Sequence, residues 1–157
     1  MSELLTIAVA TELTEIEING VLRLVADAEA VDQTRALNEA ALLRLRRPHP
    51  TTHHLLITEG DELVGYAQLE SGTEWSGGQL VVSPDRRRQG IGTLLLQRLI
   101  MESPSPLRVW AMGDTQAARA LAAAAGMTRQ RELLIMERRL DDVLPEPVVP
   151  AGVQIRT

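Results

Sequence analysis

The 157 residues include no cysteine, no phenylalanine and no lysine, and the aromatic complement is one tyrosine and two tryptophans. Each absence removes a class of function. Without thiols there is no cysteine nucleophile, disulfide or thiolate zinc site, and nothing points to an oxidising compartment, so a cytoplasmic setting is expected. With aromatics at 2% there is no stacking platform for single-stranded bases. A formal net charge of −5 lacks the broad basic face that duplex nucleic acid requires. Long hydrophobic runs are missing as well. The opening segment carries acid from Glu3 onward, in place of the basic start and unbroken apolar stretch of a signal peptide or membrane span. The expectation is a soluble protein with neither nucleic acid nor membrane as partner. Because lysine is absent, all 16 basic residues are arginine; with abundant alanine this reads as a GC-rich coding bias rather than as chemistry.

A chain of this length buries a core as one domain without staples. Residues 4–10 alternate loosely around Ile7 and Val9, as a first strand would. Thr14 and Glu17 have capping-box spacing, and Ile18, Val21, Leu22 and Val25 recur at helical intervals, which predicts a helix as far as Ala30. A second helix, capped by Asp32 or Thr34, would carry Leu37, Ala41 and Leu45 on one stripe. Arg44, Arg46 and Arg47 would lie near its carbonyl end, before Pro48 stops it. Residues 54–59 and 63–71 are apolar runs around Gly60-Asp61-Glu62, which suits a hairpin, and residues 79–82 form a third run. Residues 92–101 read as a third helix closed by Ser103-Pro104-Ser105-Pro106. A buried strand over 107–112, an alanine-rich helix over 115–125 capped by Gly126, and a last strand over 131–140 complete an α/β order.

The chemistry concentrates at residues 81–93. A short apolar strand runs into Ser83-Pro84, then Asp85, Arg86, Arg87, Arg88 and Gln89, and then Gly90-Ile91-Gly92-Thr93 at the mouth of a helix. Glycine lets the backbone approach a bulky anion, and the first amides of a helix have no partner within it and donate to phosphate oxygens. Arginines beside such a loop suit a diphosphate or a ribose phosphate. There is no third glycine for a dinucleotide G-x-G-x-x-G and no Gly-Lys-Ser/Thr for a nucleotide P-loop. Gly-Ile-Gly by itself also describes a tight strand-to-helix turn, and an arginine run by itself describes a solvated surface turn.

Arg87-x-x-Gly90-x-Gly92, preceded by Val82-x-Pro84, resembles the signature of the GNAT acetyltransferases. The resemblance implies an α/β (α+β) GNAT fold, with a central mixed, mostly antiparallel sheet of six to seven strands flanked by about four helices. It implies acetyl-CoA as the acetyl donor. The backbone of Leu80 and Val82 would receive the pantetheine arm, the amides of Arg88, Gln89, Gly90, Gly92 and Thr93 would receive the pyrophosphate, and Arg87 fills the family's Arg/Gln position.

Such enzymes transfer acetyl from a thioester to an amine, which needs a route for the amine proton and often a tyrosine acid for the thiolate. Gly126-Met127 stands at the family's Gly-Phe position, which puts Ala122 where that tyrosine would be and Thr115 where an asparagine would be. Tyr66, the only tyrosine, falls within a strand, where a structural role is expected. Glu74, ahead of the cofactor strand, is the one candidate base, against the reading of an exposed loop carboxylate. Gln79 carries an amide and cannot act as a base. His49, His53 and His54 lack the one-face spacing of a metal site, so no metal is expected.

Three segments narrow the resemblance: the glycine loop, Leu107-x-Val109-Trp110-Ala111-x-Gly113, and Arg131-Glu132-Leu133-x-x-Met136-x-Arg138-x-Leu140. Together they are similar to the N-terminal half of the mycothiol synthase family, tandem GNAT proteins that acetylate the cysteinyl amine of desacetylmycothiol. Pro145-Glu146-Pro147 and Pro150-x-Gly152-Val153-x-Ile155-Arg156 are similar to that family's connector into a second GNAT domain. The implied layout is a GNAT domain over 1–144, and a connector with the possible first strand of a second domain over 145–157. The implied partners are a small-molecule amine and a second GNAT domain. In that family the C-terminal half is regarded as catalytic, and the absence of a tyrosine at Ala122 agrees with the division. A non-catalytic acetyl-CoA-binding module, and a stand-alone GNAT acting on another amine or a peptide N-terminus, remain the alternatives.

Overall fold

The computed structural model describes residues 4–137, 139 and 148–154. Strand β1 (Leu5–Ala10) leads to helix α1 (Glu15–Asp32) and the short helix α2 (Glu39–Arg44). Strands β2 (Thr52–Glu59), β3 (Glu62–Glu70) and β4 (Ser76–Val82) follow, then helix α3 (Ile91–Glu102), strand β5 (Leu107–Val109) and helix α4 (Gln116–Ala124). The five strands form one sheet in chain order, antiparallel from β1 to β4, with β4 and β5 parallel. No helix among the described residues is long and apolar enough to cross a membrane.

Successive side chains of a strand point to opposite faces, so β2 and β3 build two cores. Leu56, Tyr66 and Val81 pack with α1 and α2 on one face, while Leu55, Ile57, Val64, Ala67 and Leu69 pack with α3 on the other. This explains why β2 and β3 read as nearly unbroken apolar runs in place of a clean alternation. The face under α1 and α2 also buries polar groups. His54 Nδ1 lies 2.7 Å from the Tyr66 hydroxyl, and Gln68 Nε2 donates to that hydroxyl and to the Ala41 carbonyl.

Local signals operate where both partners are close in sequence. The capping box forms at Thr14, whose amide donates to Glu17 while its hydroxyl accepts from the Glu17 amide. Gly60, at φ 58°, opens the β2–β3 turn, and Gly126, at φ 68°, follows the end of α4 in the left-handed conformation that glycine adopts without penalty.

Several expectations are corrected. Helix α1 runs on to Asp32, so neither Asp32 nor Thr34 caps α2; Asn38 does, its side chain accepting from the Ala41 amide. The expected stripe of Leu37, Ala41 and Leu45 is buried all the same, although the helix itself spans only residues 39–44. Strand β5 covers three residues and is only partly buried, because it has a ladder on one side alone. Residues 131–137 form no strand: no sheet edge pairs with them, and Leu133, Leu134, Ile135 and Met136 stay exposed. The described sheet therefore has five strands in place of six to seven. Arg138, Leu140, residues 141–147 and Ile155-Arg156 lie outside the described residues.

Candidate functional site

The site starts where β4 and β5 part. Their parallel pairing covers only Ser76, Gly77 and Gly78, and ends with the Trp110 amide donating to the Gly78 carbonyl at 3.0 Å. Four more residues of β4 stay paired with β3 on the other side. The phase of the ladder says where their backbone groups point. The Ser83 amide donates to the Val64 carbonyl, so odd-numbered residues of β4 exchange bonds with β3, and even-numbered ones face β5. Leu80 and Val82 thus present amides and carbonyls to the side that β5 has left. The Val82 carbonyl is partly taken, accepting from Arg87 Nε at 3.3 Å.

The strand opens onto the glycine loop. Pro84–Arg86 makes one tight turn, Arg87 is extended, and Arg88 is left-handed at φ 62°. Gly90 begins α3 at φ 87° with no side-chain cap, and a Cβ there would meet nothing. The requirement for glycine at this position is therefore conformational. The first intrahelical bond runs from the Leu94 amide to the Gly90 carbonyl, at 2.9 Å. By that geometry the amides of Ile91, Gly92 and Thr93 have no acceptor in the helix and point out of its positive end. Arg88, Gln89, Gly90 and Thr93 are exposed.

What seats this helix end was not evident from the motif. Gly65 of β3 lets Ile91 and Leu95 sit directly on the sheet; a Cβ there would come within 2.8 Å of Ile91 Cγ2. The available signal was a glycine inside an apolar strand.

The three arginines have different tasks. Arg86 Nε is 2.7 Å from Glu59, with Glu62 further off, which ties the loop to the β2–β3 turn. The Arg87 guanidinium, offered to phosphate on the sequence reading, is held in a two-pronged fork by Asp32 at the end of α1, at 2.6 and 2.8 Å. Among the described residues Arg88 makes no ion pair, so its charge is left to solvent or a ligand.

The remaining candidates lie elsewhere. Glu74 is exposed, in the turn before β4, where it lines an open groove of about 340 Å³ with Glu70, Trp75 and Gly77. That is the opposite end of β4 from the glycine loop, roughly 20 Å away at the rise of a strand. Gln79 is buried, and its side-chain oxygen accepts from the Asn38 amide at 2.8 Å, fastening the start of α2 to β4. Thr115 caps α4, accepting from the Ala118 amide. Ala122 is half-buried and carries no acid. Burial pushes the Tyr66 phenol up and the His54 imidazole down to about 4. Among the described residues no three of His, Asp and Glu gather in a way that could hold a metal.

Comparison with known proteins agrees with this geometry. The Acetyltransferase (GNAT) family pattern matches residues 19–127. A mycothiol acetyltransferase from Thermomonospora curvata is 47% identical over 148 residues, covering 92% of this chain and 49% of the relative. One from Streptomyces scabiei is 44% identical over 149 residues, covering 92% and 48%. The chain thus spans about half the length of these curated relatives. Among solved structures, an aminoglycoside N-acetyltransferase in complex with CoA superposes with a TM-score of 0.63 at 9% identity, covering 88% of this chain and 97% of that one. A strand parting from its neighbour onto an uncapped helix end, within this sheet order and under that family match, places the chain in the GNAT acetyltransferase family.

Proposed function

We propose that the chain is an acetyl-CoA-binding N-acetyltransferase domain, the N-terminal half of a mycothiol-synthase-like tandem GNAT protein. The observation that carries the reading is the cleft between β4 and β5, which leads straight to the unpaired amides at the start of α3. Leu80 and Val82 would bond the pantetheine arm as an added strand would. The amides of Arg88, Gln89, Gly90, Gly92 and Thr93 would hold the diphosphate, with the Arg88 side chain beside them. The acceptor, by the likeness to the mycothiol acetyltransferases, would be the cysteinyl amine of desacetylmycothiol. In the reaction the amine nitrogen attacks the thioester carbonyl, the C–S bond breaks, the amine loses a proton and the thiolate of CoA takes one up.

Ala122 favours a second reading, in which this half binds acetyl-CoA but does not itself turn over. No side chain of α4 supplies an acid for the thiolate: the helix reads Gln116-Ala-Ala-Arg-Ala-Leu-Ala-Ala-Ala124. Titration calorimetry with acetyl-CoA tests the shared core of both readings, and the absence of binding would end both. Release of CoA on adding desacetylmycothiol separates them. Turnover by this chain alone supports a catalytic half; binding without turnover, restored in a protein of the relatives' full length, supports the binding half.

A further inference from the structure

We infer that Asp32 and Arg87 are a positioning pair: through their fork the end of α1 sets the glycine loop in the shape that binds the diphosphate. The inference rests on the acetyl-CoA reading above. Asp32 closes a helix whose last turn has no basic residue, and a carboxylate at the carbonyl end of a helix is repelled by the helix dipole. Nothing local explains an acid there. What explains it lies 55 residues away: both carboxylate oxygens accept from Arg87, and both side chains are about three-quarters shielded from solvent. A unit that breaks a local rule and is compensated only at long range marks a place under functional constraint.

The fork acts where the loop most needs support. Arg87 Nε reaches back to the Val82 carbonyl, so a single guanidinium joins the last residue of β4, the loop and α1. The next residue, Arg88, is left-handed without being glycine, a conformation that persists only when its surroundings hold it. Three residues further on, the unpaired amides begin. With Arg87 fixed on Asp32 and the preceding Arg86 on Glu59, the stretch of chain leading into Arg88 is held from both sides. The same fork takes the Arg87 guanidinium out of competition for the ligand, so its role is exerted through the loop backbone.

The sign of one substitution decides between this and a plain charge effect. Asp32→Ala removes a negative charge near a polyanion's seat, so electrostatics alone predicts tighter acetyl-CoA binding, or no change. Positioning predicts weaker binding, by about tenfold, with the difference persisting at high salt. Arg87→Lys keeps the charge but not the fork, and should weaken binding comparably. Should Asp32→Ala fail to fold, Asp32→Asn, which keeps the shape and one acceptor, serves in its place with the same expected direction. Affinity is read by calorimetry, and the ligand-free melting temperature of each variant establishes that it is folded. Wild-type affinity in folded Asp32→Ala or Arg87→Lys, or tighter binding in Asp32→Ala, overturns the inference while leaving the acetyl-CoA reading intact. If the unsubstituted chain does not bind acetyl-CoA, that reading falls and takes the inference with it.

Discussion

Mild acid should destabilise this domain through one side chain, His54. The imidazole is 1% exposed in the core under α1 and α2, with Nδ1 against the Tyr66 hydroxyl. Gln68 already donates to that hydroxyl, so the hydroxyl donates to His54, which is neutral with its proton on Nε2. Protonating Nδ1 would leave the Tyr66 proton without an acceptor and place a charge in the core. Burial, and then the neighbouring His53, lowers the imidazole from 6.5 to about 4. The unfolded chain therefore takes up a proton as pH falls through 6.5, while the folded chain resists until about 4. Stability from this group is complete above the upper value and is lost progressively down to the lower one. At 1.36 kcal/mol per pH unit the full loss is about 3 kcal/mol, of which about 2 kcal/mol should appear between pH 7.5 and 5. Glu70 stays out of that window. Burial alone would raise its carboxyl, but the hydroxyls of Thr51 and Thr52, with Arg44 and His49, hold it below the usual range. Urea unfolding followed by tryptophan fluorescence at pH 7.5, 6 and 5 gives the measurement, with His54→Gln as the control that should lose most of the slope. A flat wild-type profile, or an equal slope in the control, would refute the reasoning.

Other expectations follow from the same contacts. Tyr66→Phe removes the partner of both His54 and one Gln68 bond, and should cost about 1–3 kcal/mol in urea unfolding without altering acetyl-CoA affinity, since the hydroxyl is buried away from the cleft. Gly92 has an ordinary helical conformation, and a Cβ there would sit 3.6 Å from Leu121 and 3.7 Å from Val82, so Gly92→Ala and Gly92→Asp should both fold. The aspartate variant would put a charge some ~5 Å from a bound phosphate, an opposition of about 3 kcal/mol at an effective dielectric of ~20. Its acetyl-CoA affinity should fall more than a hundredfold, and unchanged affinity in a calorimetric titration would count against the seat. The same substitution at Gly90 would be less informative, because φ 87° penalises any side chain whether or not a ligand is present.

Sequence alone determined the features whose causes lie within a few residues of one another. The capping box at Thr14, the hairpin at Gly60, the cap at Gly126 and the strand-loop-helix around Gly90 and Gly92 are short-range matters of hydrogen-bond geometry and φ. The apolar stripes on α1 and α3 were equally readable, because helical periodicity is local. Tertiary structure decided everything that depends on which distant groups meet. The pattern Arg86-Arg87-Arg88 does not say which cation is spent on Glu59, which on Asp32 and which is left over; that follows from where β2 and α1 end relative to the loop. The amide of Asn38 and the side chain of Gln79, 41 residues apart, could not be paired from spacing. Nor could the parting of β4 from β5, since a strand's reach is set by the neighbours available to it and not by its own propensity. The seven apolar-rich positions of 131–137 show the converse: a strand-like pattern remains unpaired where no sheet edge meets it.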